Sequence, residues 1–261
     1  MTNLLQVFLL GVIEGITEFL PISSTGHLLV AEKLGLGMRS EMFNIVIQAG
    51  AILAVVLIYR TRLWNLCVGF SRPENRDYAL KLLTAFFITG VLGLLAKKLG
   101  FELPDTVGPI AWALIIGGIW MLVAEWLAAR KPVQTEITWK VAVVVGLAQV
   151  VAGIFPGTSR SAATIFAAML TGTSDRAAAT EFAFLVGIPT MFAASGYELA
   201  KQMKDGAAPE NWGDLGVAFV VSTITAFIAV KWLLKYIQTH QFTVFAVYRL
   251  VAGVLLLLLV R

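Results

Sequence analysis

Six stretches of the chain are apolar almost throughout: residues 45–59, 82–96, 110–129, 182–200, 215–230 and 244–260. With their flanks they approach the roughly 18–25 residues that cross about 30 Å of hydrocarbon. None alternates apolar and polar positions as a barrel strand does, and backbone groups cannot go unpaired in lipid, so the pattern predicts spanning helices. Two further segments are apolar but interrupted. Residues 4–20 carry Glu14 and Glu18 and stop at Pro21, with SSTGH following. Residues 146–170 stop at Pro156 and resume after GTSRS.

Those two interrupted segments are related. Sliding the chain on itself by 135 residues aligns residues 11–27 with residues 146–162 without a gap. Gly11 meets Gly146, Glu14 meets Gln149, Pro21 meets Pro156, Ser23 meets Thr158 and Ser24 meets Ser159. A looser match sets EMFNIVIQAG against TEFAFLVGIP. The predicted fold is an all-α integral membrane protein of about six transmembrane helices plus two re-entrant helical hairpins, forming one membrane domain over residues 1–261. Repeat one covers about residues 1–130 and repeat two about 138–261. Each half is a broken hairpin followed by three spans, so an odd number of crossings inverts the second half relative to the first.

Composition sharpens the class. Hydrophobic residues make up 58% of the chain and charged residues only 14%, against about 25% charged in a soluble domain. The net charge of +4 is spread through loops, which points away from nucleic acid. Cys67 stands alone, so there is no intrachain disulfide. The N-terminal stretch has no basic n-region and no small-residue cleavage site, so it is read as a retained segment. Eleven basic residues fall in the loops around 60–81, 130–140, 176 and 231–240, and seven in the opposite loops and ends. That bias puts both termini outside. Trp64, Trp112 and Trp212 read as interface anchors.

The chemistry concentrates at the interruptions. Glu14 and Glu18 stand four apart and share a helical face. A carboxylate in a bilayer costs several kcal/mol unless it is paired, metal-bound or facing water, at about 2.5–3.5 kcal/mol on insertion scales. Pro21 ends that helix, and Ser23, Ser24 or Thr25 caps the next. The same order recurs with Pro156, Thr158, Ser159 and Ser161. Two helix N-termini inside the membrane would face each other and offer free N–H donors to one anion such as phosphate. Arg160 supplies a planar fork for phosphate oxygens, or else neutralises Glu14 or Glu18. His27 lies three residues beyond Ser24, on the same side of a helical turn, where it can act as acid or base. Gln48 lines the site or bonds between helices. Arg249, inside the last span, is expected to snorkel or to pair with Glu125, Glu181 or Glu198.

EGITEFLPISSTGH at 14–27 and PGTSRSAAT at 156–164 together resemble the two signature motifs of the undecaprenyl pyrophosphate phosphatases, the bacitracin-resistance family. The first motif is Glu or Gln, three residues, then Glu, here Glu14 and Glu18; the second is PGxSRSxxT, complete from Pro156 to Thr164. The resemblance spans nearly the whole chain. It implies an enzyme of the bacterial inner membrane that removes one phosphate from the C55 lipid pyrophosphate on the outer face. The lipid carrier for cell-wall synthesis is thereby regenerated. It also implies a divalent cation, Mg²⁺ or Ca²⁺. The expected partners are the lipid pyrophosphate and membrane lipids; a homodimer is left open.

On this reading Arg160 and the two helix N-termini hold the pyrophosphate. Ser24 attacks or positions the terminal phosphorus, and His27 or Glu18 takes the proton. Glu14 and Glu18 bind the metal. Thr25, Ser159, Ser161 and Thr164 add donors. Serine, histidine and water remain open as nucleophile. Lipid phosphatases of the acid-phosphatase type share a motif like STGH, but they need a histidine six residues past the arginine, where this chain has Phe166. A polyprenyl-phosphate transporter, alone or as a second activity, is the alternative from another class.

Overall fold

Apolar length and helix-stopping residues set the architecture. The computed structural model describes residues 4–101, 107–205 and 211–259, which contain helices and turns and, among the described residues, no strand. Helix α1 (Leu4–Thr17) leads through a break to α2 (Ser24–Ala31), which runs into a π-helical turn, Glu32–Leu36. Then come α3 (Glu41–Ile58), α4 (Arg60–Val68), α5 (Pro73–Lys98) and α6 (Val107–Ala128). The second half runs in the same order but, among the described residues, without a counterpart of α4: α7 (Trp139–Ile154), a break, α8 (Arg160–Thr171), α9 (Arg176–Asp205), α10 (Trp212–Tyr236) and α11 (Thr243–Leu259).

Helices α3, α5, α6, α9 and α10 are each long and apolar enough to cross a membrane. The sixth expected span, α11, is a shorter apolar helix of 17 residues, about 26 Å at 1.5 Å per residue. Residue 260 and Arg261 lie outside the described residues. The surface matches this assignment. On α5 only Lys81, Ala85 and Thr89 are buried, while Leu83, Phe87, Val91 and Leu94 are exposed. Trp64, Trp112 and Trp212 are exposed as well. The interior, by contrast, holds Glu14, Glu18, Glu125, Gln149 and Arg249. A bundle with an apolar rind and polar groups inside is a multi-pass membrane protein.

Local chemistry fixes the helix ends. Ser40, Thr138 and Asn211 cap α3, α7 and α10 by accepting the N–H of Phe43, Val141 and Gly213 at 3.1, 3.3 and 2.8 Å. Pro73 opens α5, which carries Glu74 in its first turn and Lys97 and Lys98 in its last, in the sense the helix dipole favours. The stretch after residue 60, expected as loop, begins with α4. Its Trp64, Cys67 and Val68 are exposed, so a short helix at the end of α3 replaces irregular chain and satisfies its own backbone.

The packing exchanges partners between halves. Helix α1 packs on α10 and α7 on α5; α3 meets α9, and α6 meets α11. Two equivalent glycines make these crossings. A Cβ at Gly11 would lie 3.0 Å from the Ala218 carbonyl, and one at Gly146 would lie 2.9 Å from the Ala85 carbonyl. Ion pairs join like ends of the bundle: Arg62 with Glu181 at 3.1 Å, Lys97 with Glu198 at 3.0 Å and Arg176 with Glu125 at 2.6 Å.

Gly15 is the tightest of the α1–α10 contacts, since a Cβ there would meet Thr225 Oγ1 at 2.0 Å and the Ser222 carbonyl at 2.6 Å. Gly15→Ala should therefore cost about 1–3 kcal/mol of stability. Gly93→Ala, with nothing within 4 Å, should be neutral or gain up to about 1 kcal/mol. Denaturant titration in detergent reads both; equal effects would contradict the close crossing.

Candidate active site

The two breaks meet. After α1 the chain keeps one more helical bond, from Glu18 N–H to the Glu14 carbonyl at 2.9 Å, and then turns tightly through Pro21. Ser23 caps α2 with φ 76°, accepting from Gly26 N–H. Ser159 caps α8 with φ 67°, accepting from Ala162 N–H at 3.3 Å. These are the two non-glycine residues with positive φ among those described, a conformation that costs of order 1–3 kcal/mol and gathers at functional sites.

The strained caps are 136 residues apart, one more than the gap-free sequence alignment. Ser23, rather than Ser24, is the structural equivalent of Ser159. The second break holds one extra residue, taken up at Gly157 with φ 89°. A Cβ at Gly157 would also approach the Ile110 carbonyl to 2.9 Å. The shift makes Ser24 and Arg160 counterparts: each is the first residue of a helix that starts inside the bundle.

Around them lies one polar cavity lined by Glu18, Ser23, Ser24, Thr25, Pro156, Gly157, Ser159 and Arg160. Ser24 Oγ donates to Glu18 Oε2. The other oxygen of Glu18 faces Arg160 Nη2 at 3.8 Å. Glu18 and Ser24 are buried, whereas the Arg160 side chain keeps 31% exposure, so it remains available to an incoming anion. A second cavity shares Glu18 and Arg160 but is otherwise mainly apolar, with Phe19, Ala183, Phe184 and Met191 among its walls.

The remaining expected site residues divide. Thr25 is exposed at the polar cavity. Ser161 and Thr164 line the second cavity, but their hydroxyls are engaged with backbone. Ser161 donates to the Leu20 carbonyl at 3.0 Å, stitching one break to the other, and Thr164 donates to the Arg160 carbonyl at 2.7 Å. His27 lies beside the site and lines neither cavity. Its Nδ1 meets the Ser23 carbonyl at 2.6 Å and its Nε2 meets the Tyr248 hydroxyl at 2.6 Å, with the two rings stacked 5.6 Å apart. Ser24 therefore hydrogen-bonds Glu18 and not His27. Gln48 is half-buried on α3 and lines neither cavity.

Glu14 is buried one turn below Glu18, and its Oε2 has no hydrogen-bond partner. Among the described residues no three His, Cys, Asp or Glu side chains converge as a metal cage. An orphaned buried carboxylate oxygen one turn from a second carboxylate nevertheless suits a hard cation. Mg²⁺ in particular is commonly held by one or two carboxylates plus substrate phosphates and water.

Arg249 overturns its expectation. It neither snorkels nor meets a carboxylate. It is fully buried, and Glu125, Glu181 and Glu198 are taken by Arg176, Arg62 and Lys97. Its guanidinium donates to five backbone carbonyls: Pro21 in the first break, Gly157 and Thr158 in the second, and Ala113 and Leu114 on α6. Neither this role nor that of Tyr248 was apparent from spacing. The available signal was an arginine inside the final apolar run with no carboxylate at helical spacing.

Comparison with known proteins places the chain in a family. Residues 7–255 match the family described as "Bacitracin resistance protein BacA". A protein named undecaprenyl-diphosphatase from Rhizobium etli (strain CIAT 652) is 72% identical over 250 residues, covering 95% of this chain and 94% of that protein. One of the same name from Xanthomonas oryzae pv. oryzae (strain PXO99A) is 62% identical over 259 residues, covering 99% and 97%. With both motifs seated at the facing breaks and the match running nearly end to end, the chain belongs to the bacitracin resistance protein BacA family.

Proposed function

We propose that this protein hydrolyses undecaprenyl pyrophosphate to undecaprenyl phosphate and inorganic phosphate, recycling the lipid carrier of peptidoglycan synthesis and conferring bacitracin resistance. The observation that carries the reading is the Ser24–Glu18 hydrogen bond beside Arg160, in one cavity bounded by two helix N-termini. The N-termini and the Arg160 fork bind the pyrophosphate oxygens. Glu18 accepts the proton of the Ser24 hydroxyl as Ser24 Oγ bonds to the terminal phosphorus. The P–O bond of the anhydride breaks and undecaprenyl phosphate leaves. Water then attacks the phosphoserine, Ser24 recovers its proton, and phosphate departs. His27 holds the Ser23 carbonyl and so orients the turn that presents Ser24.

Glu14 and Glu18 would hold the divalent cation, Mg²⁺ or Ca²⁺, on the strength of the unpartnered Glu14 oxygen. When bound, the cation offsets the charge of the pyrophosphate oxygens. The apolar walls of the second cavity, opening off Glu18 and Arg160, suit the first isoprene units of the lipid. The protein would lie in the bacterial inner membrane with the site reached from the outer face; the loop charges favour the orientation with both termini outside.

Purified protein in detergent should release phosphate from C55 pyrophosphate, and chelator should abolish release until Mg²⁺ or Ca²⁺ is restored. Glu14→Gln should raise the cation concentration needed. Arg160→Ala and Glu18→Gln should each lower release by about 1000-fold or more while the protein still folds. A pure transporter would release none, and those substitutions would change nothing. Trapped phosphoenzyme should carry phosphate on Ser24; phosphate on His27 would overturn the nucleophile.

A further inference from the structure

Catalysis at this site requires that groups from two separate breaks keep a fixed spacing. Glu18 and Ser24 come from one and Arg160 from the other. The hairpins enter from opposite halves of the chain, and their tips have few atoms with which to hold each other. Ser161 supplies one bond, to Leu20. Arg160 faces Glu18 across the two breaks at 3.8 Å, and the remaining hydrogen bonds converge on Arg249.

We infer that Arg249 is a positioning residue for phosphate release, a clamp that sets the distance between the two helix N-termini. Its Nη1 alone bridges them, donating to the Pro21 carbonyl at 3.3 Å and to the Thr158 carbonyl at 3.0 Å. Nη2 donates to the Gly157 and Ala113 carbonyls at 3.0 and 2.9 Å, and Nε reaches the Leu114 carbonyl at 3.4 Å. One rigid planar group therefore fixes both breaks against α6. Lysine has as much charge but no fork, and cannot meet carbonyls in these directions together.

Two further features fit this role and not that of an incidental buried base. Every hydrogen bond of Arg249 goes to backbone carbonyl, so its charge is not cancelled by a carboxylate bonded to it. It adds a fixed positive charge behind the pocket that receives an anion. The opposite helix is also cut away for it: a Cβ at Gly117 on α6 would lie 2.1 Å from Nη2 and 2.8 Å from Cζ. The preceding residue, Tyr248, bonds His27 on α2, so adjacent positions of α11 steady the first hairpin and the junction between the hairpins.

The inference rests on the hydrolytic reading above, and its test separates the two. Arg249→Lys, Gly117→Ala and wild type are compared, full-length and in detergent, for kcat and KM of phosphate release and for amide hydrogen exchange. Gly117→Ala leaves the arginine in place and pushes the guanidinium off its carbonyls, so it decides the matter if Arg249→Lys does not fold. Both variants should lose about 100-fold in kcat, with KM within about threefold. Exchange in residues 22–26 and 157–162 should rise together by about tenfold, with α9 unchanged. A kcat within about threefold of wild type in the folded variants, or loss confined to KM, overturns the clamp. If wild type releases no phosphate, the hydrolytic reading fails, and the paired rise in exchange at the two breaks, present or absent, still decides the clamp.

Discussion

Breaking a helix inside a bilayer leaves backbone donors and acceptors that lipid cannot satisfy. The structure is organised around that constraint. The hydroxyls of Ser23 and Ser159 each take one N–H of the helix that follows. The carbonyls just before the caps go to Ser161 and to Arg249. With these carbonyls held by side chains, the first residues of the two helices, Ser24 and Arg160, line the cavity. A polar pocket in the middle of an apolar bundle follows directly from how the two interruptions are made whole.

The aligned positions of the two breaks differ in their chemistry within that pocket. Paired helix positions keep their packing role: Gly11 and Gly146 both admit a neighbouring backbone. The polar positions have moved apart. Glu14, with its orphaned oxygen, corresponds to Gln149, a neutral side chain that donates to Thr89 on α5. Ser24 corresponds to Arg160. One half thus supplies carboxylates and a hydroxyl, and the other supplies the cation. On the proposed mechanism neither half alone both binds a pyrophosphate and attacks it, which makes their meeting the functional unit.

Much of this was legible in the sequence because it is local. Span length, the Pro-then-hydroxyl order at each break and the four-residue spacing of Glu14 and Glu18 all act within one or two helical turns. Three things were not legible. The one-residue offset between the caps depends on Gly157 adopting φ 89°, which a gap-free alignment cannot register. His27 and Ser24 share a side of the helix, yet the ring is claimed by Tyr248, 221 positions away. Arg249 was expected to snorkel or to find a carboxylate, the usual remedies for a charge in a span. It finds carbonyls that exist only because two distant breaks leave them free. Each of these is a tertiary outcome, decided by what another part of the chain brings to the same place.

The central claim is that one pyrophosphate group is gripped from both halves at once. Solid-state NMR on protein carrying a non-hydrolysable isoprenoid methylenediphosphonate, with ¹³C in Arg160 Cζ and Ser24 Cβ, tests it most directly. The account predicts phosphorus–carbon dipolar coupling to both labels in the same sample. Coupling to only one of them, or to neither while the analogue remains bound, would contradict it.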